Sequence, residues 1–195
     1  MSKADKEKWE QKYIDKPQLL EFREASAVVQ RFGCRGAGER ALDLACGTGR
    51  NTLHLAGEGF EVDAIDIAAA AIEVLMVDAL RQGVAERIDP IEADLDDYNF
   101  KSERYELIVM CNYLDRALIS RTKGALKKGG LYVVETYMAD VENEKRDSKA
   151  SNLLQSGELK EIFAEGFKVV YYDKHENEAY EIYRMKKQVI VVEKL

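Results

Sequence analysis

The residues with the clearest chemical potential lie in one short stretch. Cys46-Gly47-Thr48-Gly49-Arg50-Asn51-Thr52 directly follows the apolar run Ala41-Leu42-Asp43-Leu44-Ala45 and precedes a helical pattern. Glycines at such a strand-to-helix turn let the backbone turn tightly and approach a ligand closely. In a parallel α/β sheet this is where nucleotide-type ligands sit. Asp66, nineteen residues beyond Gly47, ends a second β-rich run. A carboxylate there can accept from both hydroxyls of a ribose. Where the dinucleotide fingerprint requires a third glycine the chain has Thr52, and no Gly-Lys-Ser/Thr follows the turn, which excludes a P-loop.

These residues need a sheet to hold them. Five β-rich runs, 41–45, 60–67, 87–95, 105–111 and 131–136, supply it. Apolar stretches such as Leu107-Ile108-Val109-Met110 suit strands buried on both faces of a parallel sheet. Ile72, Leu75, Met76, Ala79 and Leu80 recur at helical spacing, as do Leu118, Thr122, Ala125 and Leu126, and Gly83 and Gly129 are expected to end these helices. Phe22, Ala25, Val29 and Phe32 predict a helix before the first strand. Residues 137–156 form a polar stretch, the expected substrate cap. Ser156 is expected to cap a short helix carrying Leu159, Ile162 and Phe163. Strands at 167–172 and 187–193, around a turn at 173–179, would then close the sheet as an antiparallel hairpin.

With those elements placed, Asp43-Leu44-Ala45-Cys46-Gly47-Thr48-Gly49 resembles the first motif of class I S-adenosylmethionine (SAM) methyltransferases, including its acidic residue four positions before the first glycine. Asp66-Ile67, Ala93-Asp94-Leu95, the stretch from Leu107 through Asn112-Tyr113-Leu114, and Lys127-Lys128-Gly129-Gly130 resemble the later motifs in order, so the resemblance covers nearly the whole chain. Gly49-Arg50-Asn51, Asn112-Tyr113-Leu114-Asp115-Arg116, Gly157-Glu158-Leu159 and the Trp9/Tyr13 spacing are similar to the tellurite-resistance methyltransferase-related subgroup. The His-Arg pair of that subgroup's C-terminal region has no counterpart, since His175 is followed by Glu176.

The resemblance implies a Rossmann-like three-layer α/β/α sandwich with a seven-stranded, mostly parallel sheet and a C-terminal antiparallel hairpin. It implies one SAM-dependent methyltransferase domain over 1–195, divided into an N-terminal helical cap (1–36) and a core (37–195). SAM would be the methyl donor and S-adenosyl-L-homocysteine (SAH) the product. Gly47 and Gly49 would pass beside the cofactor, with Ala45 and Cys46 completing the turn. Asp43 would order the methionine end, and Asp66 would hold the ribose with Ile67 against the adenine. Asp94 and Leu95 would meet the adenine edge, the Asn112 carbonyl the methionine ammonium, and Tyr13, beside Trp9, would close over the site.

Other readings of single residues stay open. Asp66 could be a helix cap, Asp94 part of an acidic loop with Asp96 and Asp97, and Trp9 and Tyr13 a simple anchor for a helix. Cys46 and Cys111 sit in apolar runs and read as buried, inert thiols. No metal site is expected from two distant histidines, His54 and His175. Tyr113, Asp115, Arg116 and Tyr137 are the side chains expected to reach the acceptor side, but they form no diagnostic catalytic set.

The formal net charge of −7 offers no basic excess for nucleic acid, and no apolar run is long enough to span a membrane. A small-molecule acceptor, a thiol or chalcogen oxyanion, is expected, in a cytoplasmic monomer or homodimer. An NAD-dependent oxidoreductase and a non-catalytic SAM-binding protein are the alternatives.

Overall fold

The computed structural model describes residues 3–34, 39–145 and 147–195. Seven strands form one sheet: β1 (Arg40–Leu44), β2 (Glu61–Asp66), β3 (Ile88–Glu92), β4 (Tyr105–Cys111), β5 (Leu126–Tyr137), β6 (Phe167–Glu176) and β7 (Lys186–Lys194). Their order is β3-β2-β1-β4-β5-β7-β6, with β1 to β5 parallel and β7 antiparallel between β5 and β6. The order reverses between β1 and β4, so a switch-point crevice opens at their carboxyl ends.

Among the described residues, six α-helices accompany the sheet: α1 (Lys3–Asp15), α2 (Ala27–Phe32), α3 (Arg50–Gly57), α4 (Ala69–Gln82), α5 (Arg116–Thr122) and α6 (Glu158–Ile162). Alternation along the strands splits the core between two faces. Leu42, Leu44, Ile108, Met110 and Val134 pack with Leu118 of α5 and Leu159 of α6. Ala41, Val109, Val133 and Val191 pack with Val29 of α2, Leu53 of α3 and Leu75 of α4. This is the expected three-layer sandwich. Gly83, left-handed at φ 70°, ends α4 as expected, donating its N–H to the Ala79 and Leu80 carbonyls.

The structure departs from the sequence reading at several element ends. The helix before β1 is only Ala27–Phe32, and Phe22 lies outside it, 57% exposed. Leu80 is likewise exposed, because α4 buries the narrower stripe of Ala71, Leu75 and Ala79. α5 stops at Thr122, and Gly129 falls inside β5, which begins already at Leu126. Gly157, at φ 85°, takes the N-cap position of α6 in place of Ser156, whose hydroxyl instead accepts from Lys174 Nζ at 2.6 Å. β6 runs on to Glu176, because His175 and Glu176 still pair with Lys187 and Lys186 of β7, so the chain reverses over 177–185.

The polar segment after β5 is stapled to the body. Met138 bridges to Leu154, and Asn143 accepts from the Lys186 N–H at 2.7 Å and donates to the Met138 carbonyl at 2.8 Å.

Candidate cofactor and acceptor site

The turn after β1 is shaped by two left-handed glycines and one strained neighbour. Ala45 (φ 55°), Gly47 (φ 56°) and Gly49 (φ 80°) alternate through it. Asn112, at the end of β4, also has positive φ (57°). Non-glycine residues held there cost about 1–3 kcal/mol each and cluster at functional sites. Ala45 and Asn112 follow the ends of the neighbouring strands β1 and β4 at the switch point. A Cβ on Gly49 would stand 2.1 Å from Leu75 Cδ1, so that glycine is required by the packing of α4 beneath the turn. A Cβ on Gly47 would meet only Tyr13 Oη, at 3.5 Å, so its outer side faces the crevice.

Asp66 ties this turn to the next. Its Oδ2 accepts from the Gly47 N–H at 2.8 Å and its Oδ1 from the Ala68 N–H at 2.9 Å. A carboxylate has about four lone-pair sites, so with the N–H groups of Gly47, Ala68 and Ile67 donating at least one remains for a ligand. Burial raises the Asp66 pKa, and the N–H groups of Ala68, Gly47 and Ile67 work against that rise. Asp43 is buried deeper and accepts from the Thr52 hydroxyl at 2.7 Å. Burial pushes its pKa up to about 7, the Thr52 hydrogen bond opposing it. Asp43 thus locks Thr52, the residue in place of a third glycine, under the turn.

α1 lies across this end of the sheet. Glu10 accepts from the Ala69 N–H, the first of α4, at 2.7 Å, and Lys6 pairs with Glu92 at the end of β3. Tyr13 is 8% exposed and packs with Ala68 and Ala71, with Trp9 alongside at 6.2 Å between ring centroids. Ile67 and Leu95 are buried, and the Leu95 carbonyl accepts from Arg121 at 3.0 Å. Asp94 Oδ1 accepts from the Asp96 N–H at 2.9 Å, closing its own turn. The structure thus brings Tyr13, Ala45, Cys46, Gly47, Asp66 and Ile67 to one place, with Asn112 opposite and Asp94 and Leu95 beyond β3. Asp43 and Gly49 lie beneath as supports.

The acceptor-side expectations fare differently. Asp115 is the N-cap of α5, accepting from the Leu118 N–H at 2.9 Å. Arg116 is consumed by Glu158 and by the carbonyls of Ser151 (2.8 Å) and Leu153 (3.0 Å). Tyr137 donates to Glu181. Cys46 and Cys111 are the inert thiols expected, since burial raises both, Cys111 to about 12.

The sequence reading missed a polar cluster at the carboxyl ends of β4 and β5. Lys187 is fully buried and pairs with Glu178 and with Glu181 at 3.4 Å. Arg50 Nη1 donates to Glu178 at 2.8 Å and to Tyr180 at 2.9 Å, while its buried Nη2 has no partner. Burial works to raise Glu178, but Lys187 and Arg50 outweigh it and hold the carboxyl well below its ordinary range. The signal was the strand pattern: Lys187 and Glu135 occupy inward positions in β7 and β5, where an apolar residue would otherwise stand.

Comparison with known proteins agrees with this geometry. Residues 41–130 match the model of a methyltransferase domain family. Demethylmenaquinone methyltransferase of Clavibacter sepedonicus is 33% identical over 104 residues, covering 50% of this chain and 41% of that protein. TehB from Haemophilus influenzae has a TM-score of 0.70 at 21% identity, covering 80% of this chain and 58% of its own. Geranyl diphosphate C-methyltransferase from Streptomyces coelicolor A3(2), crystallised with SAH, has a TM-score of 0.68 at 13% identity, covering 86% and 76%. The chain spans less than two thirds of the first two. Together, motif order, sheet order and these likenesses show that residues 41–130 are similar to a methyltransferase domain and that the chain has the fold of the solved SAM-dependent methyltransferases.

Proposed function

We propose that this chain transfers the methyl group of SAM to a small-molecule acceptor, a soft nucleophile of the thiol or chalcogen-oxyanion kind. The observation that carries the cofactor half is Asp66. One carboxylate fastens the glycine turn to the start of α4 and keeps at least one lone pair for a ligand hydroxyl, as a ribose would need. SAM, when bound, supplies a methyl on a positively charged sulfur. Asp66 would fix the ribose and Asn112 would turn its carbonyl to the methionine ammonium. Gly47 would leave room for the chain between them. Tyr13 and Trp9, carried on α1, would exclude water from above, and Asp94 with Leu95 would bound the adenine. Orientation of nucleophile, methyl and sulfur in line contributes about 7–11 kcal/mol in such reactions, so a soft acceptor asks mainly for positioning.

The acceptor half is supported by the resemblance to the tellurite-resistance-related subgroup and by the TehB fold neighbour. Titration with SAH and with NADH, followed by turnover of radiolabelled SAM on thiols and on tellurite, tests the reading. SAH should bind and NADH should not, with label passing to one of these acceptors. Binding of NADH alone would favour an oxidoreductase; SAH binding without turnover on any acceptor would leave a non-catalytic binder.

A further inference from the structure

Glu135 stands at the carboxyl end of β5, 3% exposed, paired across the sheet with Cys111 of β4. Its carbonyl accepts from the Asn112 N–H at 2.8 Å, which places it next to the switch point. Among the described residues no hydrogen bond reaches its carboxylate. The nearest cationic nitrogen is Lys187 Nζ, 3.9 Å from Oε1, and His175 Nε2 lies 3.8 Å from Oε2. Lys187 is closer to Glu178 and Glu181 than to Glu135. The carboxylate is not sealed off from solvent, since the fully buried side-chain atoms without a hydrogen-bond partner among the described residues are Arg40 Nε, Arg50 Nη2 and His54 Nε2.

The surroundings lead outward. Ser26 Oγ is 3.6 Å from Cys111 Sγ. Ser26 and Arg50, with Glu178 and Tyr180 of the 177–185 reversal, line a cavity of about 560 Å³. That volume suits a small molecule.

We propose that Glu135 takes the proton of a neutral S–H acceptor that enters through this cavity, which makes a thiol rather than a chalcogen oxyanion the substrate class. The inference rests on the methyl-transfer reading above. Charge supports it: among the described residues the carboxylates Glu135, Glu178 and Glu181 outnumber the permanent cations Lys187 and Arg50 that pair with them, and His175 beside Glu135 is charged only when protonated, so an oxyanion would meet a carboxylate excess. An oxyanion would also need no base. In the step, the S–H proton passes to a Glu135 oxygen and the thiol sulfur's electron pair forms the new S–CH₃ bond. The methyl–sulfonium bond breaks with its pair staying on the SAH sulfur. Glu135 then releases the proton to solvent. Lys187 (β7), His175 (β6), Glu178 (the reversal), Arg50 (α3) and Cys111 (β4) face Glu135; burial raises its pKa, Lys187 opposing, as suits a base.

The test uses the full chain, 2-mercaptoethanol and, separately, sodium tellurite. Wild type should methylate the thiol with a rate nearly independent of pH around neutrality. Glu135→Gln should be about 100-fold slower or more at pH 7. Its rate should climb about tenfold per pH unit toward the thiol's own ionisation near 8.5. Glu135→Asp should recover much of the loss. SAH affinity by calorimetry should agree within about twofold among the three, and a glutamate carboxyl signal titrating above the ordinary range should vanish from the ¹³C spectrum of ligand-free Glu135→Gln. A Gln variant within about threefold of wild type and with the same pH slope would overturn the proposal. So would tellurite methylation without thiol methylation. SAH binding with neither acceptor turned over would overturn the thiol assignment and leave cofactor binding standing, whereas absence of SAH binding would remove the methyl-transfer reading beneath it.

Discussion

Asp43 and Gly49 show how individual side chains serve the site from below it. Asp43 is buried, and its native pKa near 7 lies above the unfolded value of about 3.9. Between those values the native state binds more protons. The stability contribution is therefore full below pH ~4 and lost as pH rises through about 7. Urea unfolding of wild type and Asp43→Asn at several pH values should show wild type losing on the order of 2–4 kcal/mol relative to the variant between pH 4 and 8. Parallel curves would mean Asp43 is ionised throughout. Gly49→Ala meets both a left-handed backbone and Leu75. It should cost about 2–5 kcal/mol. On a Leu75→Ala background the steric part should disappear and only the backbone part remain, a coupling that a double-mutant cycle reads.

Among the elements, α1 lies across the carboxyl end of the sheet, and the segment after β5 is tied to α5 and β7. α1 is held by Glu10 on the α4 N-terminus and Lys6 on Glu92, contacts made with residues beside the cofactor turn. Trp9, the chain's single tryptophan, reports on it directly. Saturating SAH should change its fluorescence, and an unchanged spectrum would leave α1 as an anchor alone. The 150–158 segment hangs on Arg116, which reaches Glu158 and two backbone carbonyls. Arg116→Ala should raise hydrogen exchange there while global stability falls by only about 1 kcal/mol, as for a largely exposed ion pair. Uniform loss of protection across the sheet would contradict that local role. The sheet's strands were legible because β1, β2 and β4 are apolar on both faces, and Tyr105–Cys111 was bounded to the residue. The antiparallel hairpin of β6 and β7 was legible too, but its turn was placed too early, since β6 is an edge strand whose pairing to β7 does not depend on an apolar pattern through His175 and Glu176. α5 was overextended for a related reason: Ala125 and Leu126 keep helical spacing, yet they are buried by the turn into β5.

For the whole molecule, sheet order, the glycine-controlled turn after β1 and a carboxyl-end crevice all converge on the junction of β1, β2 and β4. The proposed cofactor half of the site could be picked out in sequence because its residues are local: Asp43 to Gly49, Asp66-Ile67 and Asp94-Leu95 each sit at one strand end. The acceptor half was not, because Arg50, Glu135, Glu178 and Lys187 come from four separate segments and meet only when β7 folds back beside β5. Everything proposed for that half depends on the cofactor lying against Asp66, so the decisive measurement is calorimetric titration of SAH into wild type and Asp66→Ala. Loss of charge-assisted hydrogen bonds of this kind costs about 1.5–3 kcal/mol. The variant should thus bind at least about tenfold more weakly while its thermal unfolding stays cooperative. Unchanged SAH affinity in a folded Asp66→Ala would contradict the placement of the cofactor at this site.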